Sequence, residues 1–117
     1  MILLWRDKEK HIVSLFQKGD KCAMDRLYME YADYLTGVCA RYISDEDALK
    51  DVLQESFIRI FTNIHQFEYR GKGSLKAWIT RIAINEAFIQ LRKEKEHYIE
   101  LYIQLWSRGC GNVSSLC

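Results

Sequence analysis

Apolar residues recur at three- and four-residue intervals through most of this chain, with no sustained alternation in twos. That spacing lays them on one face of a helix and argues against half-buried strands. Four helical stretches result, each with its own punctuation. The first runs from about Lys8 to Lys18 and stops at Gly19, a residue suited to a left-handed cap. Asp20 stands where an N-cap belongs. The second helix runs to about Tyr42, with Ala23, Leu27, Tyr31, Tyr34, Leu35, Val38 and Tyr42 on one face. Ser44, with Asp47 three residues on, resembles a capping box and opens a third helix over about Asp45 to Ile64. Residues 65–73 form a loop containing two glycines. Ser74 is the expected N-cap of a fourth helix reaching about Lys95 or beyond. The fold class is therefore all-α, a small bundle of about four helices.

The totals narrow this picture. With 117 residues, 49% of them apolar and none of them proline, the chain suits one domain with one small core. No apolar run reaches the ~18 residues of a membrane-spanning helix, so no membrane insertion is expected. The start, MILLWRDKEKHIV, is too short in apolar residues and wrongly charged for a signal peptide. A cytoplasmic protein is expected. Cys22, Cys39, Cys110 and Cys117 form no CxxC pair, so free thiols in a reducing compartment are expected and a metal site is not. His11, His65 and His97 have no evident nucleophile or carboxylate constellation around them. Neither an enzyme nor a cofactor is expected. From about His97 the segment HYIELYIQLW prolongs the helix, with Tyr98, Leu101, Tyr102 and Leu105 on one side, and SRGCGNVSSLC reads as irregular. This divides the chain into a helical domain, 1–96, and a C-terminal extension, 97–117, helical at first and then irregular.

A net charge of +1 conceals an asymmetry: residues 1–57 hold 8 Lys/Arg against 11 Asp/Glu, and residues 58–117 hold 9 against 5. On the third helix Asp47, Gln54 and Glu55 fall within about 60° of Asp51 at roughly 100° per residue. Leu49, Val52, Leu53, Phe57, Ile60, Phe61 and Ile64 fill the opposite half. A compact acidic face of this kind either is simply solvated or docks on a basic protein surface. On the fourth helix Asn85, Phe88, Arg92 and Lys95 fall within about 40° of Arg81. Cations there can hold phosphates, and the Asn85 amide can donate to and accept from a base edge. The loop upstream adds Phe67, Tyr69, Arg70 and Lys72. Exposed rings stack on unpaired bases for roughly 1–3 kcal/mol each. Phe67 and Trp78 are expected to bury against the core, Phe67 only in part. Glu86 points into the apolar sector, with a local pair to Arg81 or Lys93 as its expected relief. The parts suit single-stranded or locally opened nucleic acid better than intact duplex.

The strings GDKCAMDRLYMEYADYL, DEDALKDVLQESFIRIF, FEYRGKGS and LKAWITRIAINEAFIQLRK resemble region 2 of bacterial sigma factors, specifically the extracytoplasmic-function (ECF) group. The resemblance runs from about Ile12 to Lys95. It implies that the acidic helix docks on a coiled coil of the RNA polymerase clamp through Asp47, Asp51, Gln54 and Glu55. It implies that the loop and the following helix recognise and melt the promoter −10 element, capturing a base flipped from the non-template strand. That role would fall to Phe67, Tyr69, Arg70, Lys72, Ser74, Arg81 and Asn85, with Arg92 and Lys93 on backbone phosphate. It also leaves room for an anti-sigma factor as a partner. Family members carry a second helical domain, region 4, which reads the −35 element. No segment here resembles it, and nothing after Lys95 resembles the family. Two functions are therefore expected in competition. One is a sigma module that starts DNA-templated transcription. The other is a truncated polymerase-binding protein without initiation activity.

Overall fold

The computed structural model describes the backbone of residues 8–116 and the side chains of 8–107. Residues 1–7, on which part of the leader-peptide expectation rests, and the Cys110 and Cys117 side chains lie outside the described residues. The elements are α1 (Lys8–Gln17), α2 (Ala23–Ala40), α3 (Glu46–Asn63), one 3₁₀ turn (Ile64–Gln66) and α4 (Ser74–Leu116). The expected all-α bundle is what forms. None of these helices is long and apolar enough to cross a membrane.

Gly19, at φ 72°, ends α1. Asp20 N–H donates to Leu15 O at 3.0 Å and Gly19 N–H to Phe16 O at 3.1 Å, a Schellman pattern that uses up the last carbonyls. The α2 helix ends two residues earlier than its apolar pattern suggests. Arg41 and Tyr42 N–H turn back to Val38 and Cys39 O, tightening the last turn. The cap of α3 is Asp45, not Ser44: the Asp45 carboxylate accepts from Ala48 N–H at 2.9 Å. Either residue suits an N-cap, and Asp45 carries the charge that the helix N-terminus favours.

Leu27, Leu35, Ile60, Leu75 and Ile79 form the fully buried centre. Ala83 and Ala87, also fully buried, let α4 approach its neighbours closely, and the Cys39 thiol reaches Ala83 O at 3.9 Å. Burial raises the pKa of that thiol above its ordinary value. Phe61, expected in the core, is instead half exposed and, with Ile58, lines an open apolar groove of about 570 Å³ between α2 and α3. The groove stays open between the two helices.

The α4 helix outruns the bundle. Residues 92–107 are exposed along their whole length, including Tyr98, Leu101, Tyr102, Leu105 and Trp106. This projection gives the molecule its 79 × 23 × 22 Å extents. Where an irregular stretch is expected from Ser107, the backbone stays helical to Leu116. No proline interrupts it, and adding residues to an existing helix is far easier than nucleating one.

Tyr31 is buried on α2. Burial first, then the Glu9 and Glu30 carboxylates, push its hydroxyl pKa above the ordinary tyrosine range. A folded pKa above the unfolded one gives stability that is complete below pH ~10 and is lost as pH rises beyond it. Tyr31→Phe is expected to flatten that alkaline loss, read by urea denaturation at about pH 8 and about pH 10.5.

Candidate functional site

The loop between the 3₁₀ turn and α4 is shaped by two glycines with left-handed backbones, Gly71 at φ 118° and Gly73 at φ 90°. A side chain at either would be strained, because Cβ collides with its own backbone in that region. Ser74 holds the loop closed. Its hydroxyl donates to Gly71 O at 2.7 Å and accepts from Arg70 N–H at 3.2 Å. The expected N-cap role of Ser74 belongs instead to Glu9 on α1, whose carboxylate accepts from the N–H groups of Gly73 and Lys76, the latter at 2.7 Å. A carboxylate at a helix N-terminus satisfies orphan donors and complements the dipole.

Above this frame Phe67 and Trp78 meet with ring centroids 5.0 Å apart and planes tilted by 44°. Both rings are half-buried, packed on the core below and open above. They wall a pocket of about 530 Å³ completed by Gln66, Glu68, Arg70, Ser74, Ala77 and Arg81. Arg70 pairs loosely with Glu68 at 3.8 Å, and both side chains are about four-fifths exposed, so the guanidinium is not committed. An aromatic wall with cations at the rim suits a planar, electron-rich group attached to an anion, which describes an unstacked nucleotide.

A second cleft, of about 310 Å³, opens between α3 and α4 and is lined by Arg59, Asn63, Asn85 and Arg92, with Ile82, Glu86 and Ile89. The sequence-predicted residues therefore divide between two hollows. Phe67, Arg70, Ser74 and Arg81 gather at the first, and Asn85 and Arg92 at the second. Tyr69, Lys72 and Lys93 line neither. Tyr69 packs partly on the core, while Lys72 and Lys93 are exposed. Phe88 turns to the other flank of α4 and meets Tyr42 edge-on at 5.2 Å.

Sequence reasoning missed Arg59, Asn63 and the pocket-facing side of Trp78. The first two repeat at four-residue intervals after Glu55, a spacing that could have placed them on one α3 flank. Arg59 also answers the question of Glu86. Glu86 is 6% exposed as a residue, and its carboxylate pairs with Arg59 across the helix interface, not with Arg81 or Lys93.

On α3, Asp47, Asp51, Gln54 and Glu55 are all exposed, as the helical wheel places them. Glu55 lies 3.6 Å from Arg59, with both side chains half exposed. Gln54 also borders the apolar groove, so the acidic face and an apolar hollow adjoin. His11, His65 and His97 are exposed. Among the described residues no three His, Cys, Asp or Glu side chains gather as a metal site.

The family model described as Sigma-70 region 2 matches residues 27–97. The chain is similar to the RNA polymerase sigma-H factor of Pseudomonas aeruginosa, 34% identical over 85 residues, covering 73% of this chain and 43% of that protein. It is similar to the ECF RNA polymerase sigma-E factor of Haemophilus influenzae, 38% identical over 79 residues, covering 68% and 40%. With the ECF RNA polymerase sigma factor SigW of Bacillus subtilis it shares 33% over 89 residues, covering 76% and 46%. The chain thus spans less than half the length of these relatives. Among solved structures it resembles an engineered region 2 of sigmaE in complex with GTAAAA, with TM-score 0.66 and 29% identity. That match covers 74% of this chain and 87% of the other.

Proposed function

The chain belongs to the sigma-70 region 2 family, on its ECF branch, and from that premise we propose that it binds core RNA polymerase and recognises and melts the promoter −10 element. The reading makes it a cytoplasmic, non-enzymatic module acting in transcription initiation. The observation that carries it is the Phe67–Trp78 pocket with Arg70 and Arg81 at its rim. It corresponds to what a base drawn from the duplex requires.

Unstacking a base costs a few kcal/mol, and stacking it on aromatic rings returns roughly 1–3 kcal/mol. Phosphate contacts supply the remainder without reading sequence. Arg92 and Lys93 take that role, with Lys72 and Arg70 at the loop. Asn85 contributes base discrimination, since its amide can donate and accept at one base edge. Tyr69 and Ser74 act by holding the loop. Asp47, Asp51, Gln54 and Glu55 dock on a basic surface of the polymerase clamp, where charge-assisted hydrogen bonds are the strong ones. An anti-sigma factor would compete for these faces. We assign binding to the bundle up to residue 96 and treat 97–117 as a separate extension.

Run-off transcription with core polymerase, with and without the chain, tests the reading. Promoter-dependent transcripts are expected only with it. Their absence, with polymerase binding intact, would favour a polymerase-binding protein without initiation activity. Asp51→Arg is expected to weaken polymerase binding by about tenfold or more, as for a reversed charge in a complementary interface. Asn85→Ala should leave polymerase binding unchanged. Equal polymerase affinity for wild type and Asp51→Arg would remove the acidic face from the account.

A further inference from the structure

We propose that Glu9 is a positioning residue for the nucleic-acid pocket, fixing from α1 the loop end on which that pocket is built. The inference rests on the reading of the Phe67–Trp78 pocket given above and assigns a role to a residue far from it in sequence. Glu9 sits 64 and 67 residues from the two backbone groups it holds. The residue is 8% exposed, and its two carboxylate oxygens take different donors, Gly73 N–H and Lys76 N–H. Those donors straddle Ser74, whose hydroxyl closes the loop onto Arg70 and Gly71. About one and two turns beyond Ser74 on α4 stand Trp78 and Arg81 of the pocket.

The loop has reason to need an external hold. Both Gly71 and Gly73 have left-handed backbones and carry no side chain that could anchor them. A loop so built pays an ordering cost at binding unless something fixes it beforehand. Within the loop, Ser74 fixes the Arg70–Gly71 end. Glu9 fixes the other end, from Gly73 into the first turn of α4, and so sets the angle at which Trp78 leaves the helix opposite Phe67. Glu9 does not line the pocket, and its hydrogen bonds go to backbone groups, so its influence would pass through the backbone.

This role makes a prediction whose sign separates it from simple electrostatics. Glu9 places a negative charge near a surface that binds a polyanion. If charge alone mattered, Glu9→Gln would bind nucleic acid more tightly. As a positioning residue, Glu9→Gln should bind the preferred strand less well and discriminate less.

Fluorescence anisotropy with the single strand GTAAAA and a permuted strand of the same composition reads both effects, using the full chain. Glu9→Gln is expected to lower the affinity ratio between the two strands roughly fivefold, which corresponds to the loss of a cap of about 1 kcal/mol. Amide exchange at Gly73 and Lys76 should quicken, while exchange at core amides such as Ile79 stays as in wild type. Glu9→Asp, which keeps the charge but shortens the reach, should fall between the two and serves if Glu9→Gln folds poorly. A wild-type ratio retained in both variants would overturn the inference and leave the functional reading standing. A wild-type chain with no strand preference would overturn both.

Discussion

Arg59→Ala is expected to destabilise the folded chain by about 2–3 kcal/mol, as removal of one partner from a buried ion pair does. The cost arises on the other side of the pair. Glu86 has a side chain only 7% exposed, and Arg59 is the cation that meets it. Without the guanidinium a carboxylate remains in the α3–α4 interface with no counter-charge and only limited water to stabilise it. The effect lies at the lower end of the range because Arg59 is itself half exposed, so water can follow it in. Replacing both residues by leucine removes the stranded charge and should recover most of the loss. Urea denaturation of Arg59→Leu, Glu86→Leu and the double leucine variant measures this. Additive losses would mean that the pair does not couple the helices. The partner contact to Glu55 adds little, because both of those side chains are half exposed. This ion pair joins the helix proposed to meet polymerase to the helix proposed to meet DNA, so it fixes one binding face relative to the other.

Trp78→Ala is expected to weaken binding of an A·T-rich single strand by about 10- to 100-fold, the range that loss of one aromatic stack produces. The indole is one wall of the pocket and also the ring on which Phe67 leans. Its removal therefore takes away a stacking surface and loosens the other. Because Trp78 is half-buried, stability should fall by about 2 kcal/mol, less than for a fully buried aromatic and less than the 5–15 kcal/mol that holds a domain together. Trp78→Phe keeps a ring in place and should retain most of the binding. Anisotropy titrations alongside thermal melts separate the two losses. An unchanged affinity for Trp78→Ala would show that no base stacks on this wall of the pocket.

The helices were legible in the sequence because period and punctuation are local. Gly19 and the four-residue stripe Ala23, Leu27, Tyr31, Leu35 needed no tertiary information. The acidic face of α3 was legible for the same reason, since a helical wheel fixes which residues share a side. What a wheel cannot supply is the neighbour. It placed Trp78 towards the core, and the ring does pack there, but its other face is open because only the loop lies above it. It placed Phe61 inside, although the ring lines an open groove between α2 and α3 and is half exposed. It left Glu86 without a partner because Arg59 lies on another helix. Glu9 was out of reach for the strongest reason: it caps a helix that begins more than sixty residues later. The basic stripe of α4 was right as a wheel and too simple as a site, since Phe88 faces Tyr42 while Asn85 and Arg92 face α3.

The proposed function requires that the chain capture an unpaired −10 strand by its sequence. The most direct test is the affinity of the wild-type chain for the single strand GTAAAA against a permuted strand of identical composition, across a salt series. A preference of about tenfold or more is predicted, with both affinities falling steeply as salt rises and the ratio largely preserved, since phosphate contacts carry the salt dependence and base contacts the choice. Equal affinities for the two strands at every salt concentration would contradict it.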